Sequence, residues 1–273
     1  MEKKKILFVS QEIAPFVPKS DIANLTRRLP QSIQDAGKDI RVFTPKFGCI
    51  NERRHQLHEV IRLSGMNIVI DDKDHPLLIK VASIPTARLQ VYFIDNEEFY
   101  DRKNALADDE GNFYADNDER AMFFCRGVLE TVKKLGWKPD VIYCHGWMAS
   151  IMPLYIKKIY HKDPHFSDAK VILSLYNEEI NNNWDGRFME KLKFEGFDKK
   201  ILAELQEVTY ENIMRTIFKY TDGLSMGCEE INPILKSLYD EATCLKQEYV
   251  AEEFQTKTMS EFFDKVIEEE VLV

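Results

Sequence analysis

Short apolar runs and helical stripes alternate along the chain. Residues 5–10 hold the continuous run Ile6-Leu7-Phe8-Val9, the kind that forms a strand buried on both faces. Ile22, Leu25, Leu29, Ile33 and Ala36 then recur at three- and four-residue steps. That spacing predicts a helix over 20–36 with one buried stripe, kinked at Pro30 and ended by Gly37. A second strand is expected over 40–44. The middle changes character. Segments 60–63, 66–70, 77–84 and 89–94 read as short strands, with an acidic turn at 71–76 and an exposed loop at 108–112. They predict an antiparallel meander attached to the main sheet.

The earlier rhythm then resumes. Helices are expected over 118–135, 148–160 and 229–239, with helical pattern over 201–220. Strands are expected over 139–144, 170–175 and 223–226, and an asparagine-rich loop over 177–186. No strand signal follows 240. Residues 260–270 form an acidic helix with Phe262, Phe263, Val266 and Ile267 on one side, and that side is expected to dock on the main body. Strands separated by helices imply βαβ units. The fold class is therefore α/β, a doubly wound, mostly parallel Rossmann-like sheet with an antiparallel meander. The expected organisation is one domain over 1–240 and an acidic helical tail over 241–273. Ligands of such sheets bind in loops at the carboxyl ends of strands, here 10–19, 144–148 and 176–183.

Composition narrows the partners. The net charge of -9 argues against nucleic acid, which needs clustered Lys and Arg. The basic run Lys3-Lys4-Lys5 reads as a solvated end. Residues 6–9 are too short for the apolar core of a secretory signal, and no stretch approaches the roughly 20 apolar residues of a membrane span. Five scattered cysteines without a CxxC pair suggest neither zinc nor a disulfide framework, so a reducing cytoplasm is expected. No metal or cofactor is expected. The absence of GxGxxG, Walker and GxSxG sequences disfavours an unrelated nucleotide-binding protein or a serine hydrolase.

Five segments, in order, carry a resemblance. They are the opening 6–16, ending Glu12-Ile13-Ala14-Pro15-Phe16; Tyr114-Ala115-Asp116-Asn117 with Arg120 and Phe123; and Pro139-Asp140 leading to His145-Gly146-Trp147-Met148-Ala149. Ser174-Leu175-Tyr176-Asn177 and Tyr220-Thr221-Asp222 complete the series. Together they resemble the N-terminal domain of the ADP-glucose-dependent glycogen and starch synthases, over about residues 3–235. The resemblance implies a GT-B architecture, in which two Rossmann-like domains face each other. It also implies retaining transfer of glucose from ADP-glucose to an α-1,4-glucan. It places substrate-binding candidates at Glu12, Asp116, Asn117, His145 and Asn177, and assigns no catalytic residue.

The sequence also departs from that family. Where the family has Lys-Thr-Gly-Gly-Leu-Gly-Asp, a gap-free alignment puts Pro18 on the lysine, Ser20 and Asp21 on the two glycines and Asn24 on the aspartate, with Lys19 one step out of register. The family glycines let main chain approach the donor. Asp21 instead brings negative charge, and Ser20 or Asp21 suits a helix cap. Gly146 and Met148 replace an aspartate and a histidine, Tyr176 a histidine, and Arg215-Thr216-Ile217 the family's Lys-Ala-Gly. About 33 residues follow Asp240, too few for a second Rossmann-like unit. The expected function is a synthase-like protein, non-catalytic alone, that binds α-glucan or a sugar nucleotide or regulates a complete synthase. The alternative is a glucosyltransferase using ADP-glucose, with a second chain completing the cleft. The loop aromatics Tyr100, Tyr114 and Trp184 are candidates for glucan contact.

Overall fold

A computed structural model describes residues 3–178, 184–205 and 207–269. Its centre is a ten-stranded sheet: β1 (Lys5–Ser10), β2 (Asp39–Pro45), β3 (His58–Glu59), β4 (Met66–Ile70), β5 (Lys73–Ile84), β6 (Leu89–Asp95), β7 (Val141–His145), β8 (Lys170–Leu175), β9 (Gly223–Met226) and β10 (Leu245–Gln247). The order is β10-β9-β8-β7-β1-β2-β6-β5-β3, with β4 on β5. From β10 to β6 all neighbours are parallel, while β5 pairs antiparallel with β6, β3 and β4. This is the expected α/β class. The central runs explain it: Ile6–Val9 and Val141–Cys144 are almost wholly excluded from solvent. Strands covered on both faces need apolar side chains on both. Sequence order turns outward in two directions from β1 and β7, so the crevice between their carboxyl ends is the switch point.

The Asp21–Asp35 helix starts where the sequence predicts. The Ser20 hydroxyl accepts from the Ala23 amide at 2.9 Å, Pro30 lies buried within the helix, and Gly37 follows it at a φ of +101°. Other expectations need correction. Residues 60–63 form a turn: the Val60 carbonyl accepts from Leu63 and Ser64, and Ile61 stands in solvent. The turn expected at 71–76 shrinks to Asp71-Asp72, both left-handed, because Ile70 pairs directly with Lys73. The helix expected over 148–160 is broken. A 3₁₀ turn (Trp147–Ala149), one α turn (Met152–Leu154) and a π turn (Tyr155–Ile159) follow each other.

The pattern over 201–220 splits into Lys199–Glu204 and Tyr210–Lys219. The helix expected from 229 begins at Pro233, capped by Asn232. An unforeseen helix, Phe188–Phe194, is held by Lys191. Its buried ammonium lies within 2.8 Å of Asp118 and Asp185 and 2.7 Å from Glu119. Residues 179–183 of the asparagine-rich loop lie outside the described residues.

The chain after Asp240 contributes a strand that the sequence did not signal. β10 has only three residues, half-buried at the sheet edge, too few for a periodicity to register. The Glu252–Glu268 helix that follows buries Met259, Phe262, Phe263 and Val266. Phe263 packs edge-on against Tyr143 at 5.2 Å and Phe8 at 6.4 Å. A side chain at Gly223 would meet Phe262 at 3.1 Å, so the helix lies directly on β9.

Phe263→Ala removes a ring that is wholly excluded from solvent. It should cost about 3–5 kcal/mol of stability, measured by urea unfolding. A loss below about 1 kcal/mol would mean that this helix adds little to the core.

Candidate functional site

Three loops converge on the switch point: the one leaving β1, the one leaving β7 and the one leaving β8. Gln11, first residue after β1, ties them together. Its amide donates to the His145 carbonyl at 3.0 Å. Its side-chain Oε1 accepts from the Met148 amide at 3.2 Å, and its Nε2 lies 3.4 Å from both Glu12 Oε1 and Glu178 Oε1. The side chain is buried, so these contacts replace water as its partners. Gly146 is required here on two counts. Its φ is +81°, and a Cβ would stand 2.8 Å from that of Gln11.

Around this knot lie two adjoining clefts of about 540 and 780 Å³, which share Lys19, Asp21, Asn24 and Asn177 in their walls. The smaller runs over Gln11, Glu12 and Glu178, and the larger reaches the C-terminal helix at Glu252 and Gln255. Glu12, Asp21, Glu178, Glu229, Glu230 and Glu252 supply carboxylates; Lys19, Arg27 and Arg28 supply cations. Arg28 is paired with Glu252 at 2.5 Å, and Arg27 bonds to Thr86 at 2.8 Å. The lining is therefore acidic in net charge.

The main-chain donors of the turn after β7 are engaged within the protein. The Trp147 amide reaches Glu178 Oε1 at 3.4 Å, Met148 is taken by Gln11, and Ala149 by the Gly146 carbonyl at 3.1 Å. At the other helix start, Ser20 caps Ala23 and gives its own proton to Glu12 Oε2. Burial pushes the Glu178 carboxyl up to about 7, the Trp147 amide opposes that shift, and the charge of Glu12 adds to it.

The sequence-nominated residues divide into three places. Glu12 and Asn177 line the clefts. Asp116 and Asn117 belong to a latch beside them. Asp116 forms a two-pronged ion pair with Arg102, and Asn117 donates to the Leu106 carbonyl at 2.8 Å and accepts from Arg120 at 2.5 Å. The latch presents Leu106 and Phe113 to the smaller cleft. His145 lies beneath, wholly buried. Its Nδ1 sits 2.8 Å from the Tyr176 hydroxyl, its ring stacks on Phe8 at 5.7 Å, and burial pushes its pKa down to about 3. It is a neutral core residue.

Two of the aromatics proposed for glucan contact are spent in packing. Tyr100 is inaccessible and donates to the Arg120 carbonyl, while Trp184 packs on Trp147 and Phe188. Tyr114 is half-buried beneath the guanidinium of Arg102. The exposed aromatic of the clefts is Tyr249, at 39%. Arg215 lies apart, paired with Glu211 and Glu241 on a helix surface.

Gln11, Glu178 and Tyr249 were missed from sequence, since none sits in a distinctive spacing. Tyr176, where the resembling family has histidine, packs onto bare backbone: a Cβ at Gly227 would fall 2.3 Å from its ring. Among the described residues no three His, Cys, Asp or Glu side chains are grouped to hold a metal ion, and no helix is long and apolar enough to cross a membrane.

Residues 5–226 match the family described as the starch synthase catalytic domain. The glycogen synthase of Chlorobium limicola is 40% identical over 174 residues, covering 63% of this chain and 36% of that protein. The glycogen synthase of Chlorobaculum parvum is 33% identical over 220 residues, covering 80% of this chain and 44% of that protein. The chain thus spans less than half the length of these curated relatives. Among solved structures, the catalytic domain of Arabidopsis thaliana starch synthase IV bound to ADP and acarbose superposes with a TM-score of 0.66. It is 16% identical and covers 97% of this chain and 50% of that one, a likeness of fold.

The titration of Glu178 generates a pH prediction. Its ordinary value is 4.5, and folding raises it to about 7. The unfolded chain therefore loses this proton first. Its contribution to stability is full below 4.5 and declines as pH rises to 7. Glu178→Gln should match the parent chain in urea midpoint at acid pH and exceed it at alkaline pH. Parallel curves for the two proteins would rule the assignment out.

Proposed function

The chain belongs to the starch synthase catalytic domain family, and on that premise we propose that this segment binds a neutral α-glucan in its carboxyl-end clefts and does not by itself transfer glucose from ADP-glucose. The reading rests on one observation: the Trp147 and Met148 amides of the turn after β7 are taken by the chain's own side chains, beside a wall that is acidic in net charge. A departing diphosphate needs cations and free amides to take up its charge. Here Gln11 and Glu178 occupy the amides of Met148 and Trp147. Asp21 lines both clefts at the start of the first helix, and the remaining wall is acidic in net charge. Placing a diphosphate there would set like charges together.

A glucan carries no such charge. Its hydroxyls both donate and accept: carboxylates receive their protons, and side-chain amides meet either role. Asn24, Asn177 and Gln255 supply the amides, and Tyr249 supplies an exposed ring for a sugar face. The two clefts are contiguous through four shared residues, which suits an extended chain better than one compact ligand.

Calorimetry with maltoheptaose and with ADP-glucose, alongside a radiolabelled glucose-transfer assay, tests the reading. Maltoheptaose should bind and ADP-glucose should not. Tyr249→Ala should weaken maltoheptaose roughly tenfold, or about 1.4 kcal/mol. Glucose transfer by the purified chain, or binding of ADP-glucose without maltoheptaose, would favour the glucosyltransferase instead.

A further inference from the structure

A third cleft, of about 550 Å³, opens at the opposite end of the sheet, where β1, β2 and β6 begin. Its wall carries Lys3, Lys5, Lys38, Arg41 and Arg88, with Asp39 as the lone carboxylate. The whole chain has 46 acidic and 37 basic residues. Five cations around one concavity therefore run against the charge of the rest, and a cleft concentrates such a field.

The local counter-charges fall on other groups than the two arginines. Asp39 Oδ2 accepts from the Trp137 indole at 2.9 Å, which fixes that carboxylate against the ring. Lys38 is matched by Asp264 at 2.6 Å. Among the described residues neither Arg41 nor Arg88 makes an ion pair. Arg41 is instead held by aromatic faces. Its guanidinium carbon lies 5.2 Å from the centre of the Trp137 ring and 5.9 Å from that of Tyr92, and Nη1 is 3.4 Å from the Tyr92 hydroxyl. Stacking of this kind orients the planar fork without consuming its charge. Arg88, at the turn before β6, is exposed with a φ of +48°.

We propose that this cleft binds a small phosphate monoester, its oxygens received by Arg41 and Arg88. Guanidinium forks match phosphate geometry, and an oriented fork loses little freedom on binding. Tyr92 and the amides of Gln34 and Gln90 line the same space and offer contacts to the esterified group. The site is separate from the glucan clefts. It lies at the start of β1 and they lie beyond its end, about 20 Å away for a six-residue strand. Occupation of one should leave the other's ligand undisturbed.

Titration calorimetry of the full chain with inorganic phosphate and with methyl phosphate provides the test. Both should bind, more weakly as ionic strength rises. Arg88→Glu should weaken both at least tenfold while maltoheptaose binding and the urea midpoint stay unchanged. Arg41→Lys, which keeps the charge but removes the fork, should also weaken them. Arg41 packs on two rings, so the exposed Arg88 is the decisive position if the Arg41 variant folds poorly. Failure of both anions to bind, or equal binding by the parent chain and Arg88→Glu, would overturn the proposal.

Discussion

A buried glutamine amide at the switch point decides what the carboxyl end of this sheet can do. Gln11 has one acceptor and two donors on its side chain, and all face protein. Because the group is excluded from water, leaving any of these unmet would cost on the order of 1–3 kcal/mol. The surrounding loops are therefore constrained to supply partners. The turn after β7 must bring its Met148 amide to Gln11, which forces the positive φ of Gly146. Glu12 and Glu178 must stand on either side of the other end. Once that arrangement is satisfied, the Trp147, Met148 and Ala149 amides are all taken within the protein. The engagement of this turn comes from internal hydrogen bonding and not from a blocked entrance, since the clefts above it are open.

Electrostatics carries the same logic across the molecule. The carboxyl ends of the central strands are ringed by Glu and Asp, and the amino ends by Lys and Arg. In an open parallel sheet the carboxyl end normally receives the ligand, and helices that begin there favour anions. Here the acidic wall opposes that natural preference. The two ends of the sheet thus carry fields of opposite sign.

Much of the architecture was legible because it rests on burial. Strands covered on both faces, such as 6–9 and 141–144, can only be uninterrupted apolar runs. The Asp21–Asp35 helix announced itself through a one-sided stripe and a serine cap. Elements that failed to register have other causes. β10 exists because β9 offers it an unpaired edge, and Phe188–Phe194 because Lys191 finds three carboxylates contributed partly by a distant helix. Neither cause is local. The broken helix after β7 carries Pro153 in its one α turn, where a main-chain donor is missing. In the site, Glu12 and Asn177 were found by resemblance and do line the clefts. His145 could not be placed from sequence, because a strand end does not fix whether its histidine points up into solvent or, as here, down among Phe8, Tyr143 and Tyr176.

Tyr176 shows how such a site diverges while its scaffold persists. The ring sits where the resembling synthases have an imidazole, and it fits because Gly227 offers no Cβ against it. Its hydroxyl meets His145 and Ser174, so the larger side chain is accommodated with its polar end paired and its body packed. Such a substitution leaves the core well filled while removing a group from the loop above. The same holds for Ser20 and Asp21, which start a helix at least as well as glycines would. At each of these positions the replacement meets the local demands of folding and alters what the cleft presents. The fold therefore tolerates these replacements, because the forces that hold the sheet together lie below the layer of residues that lines the clefts.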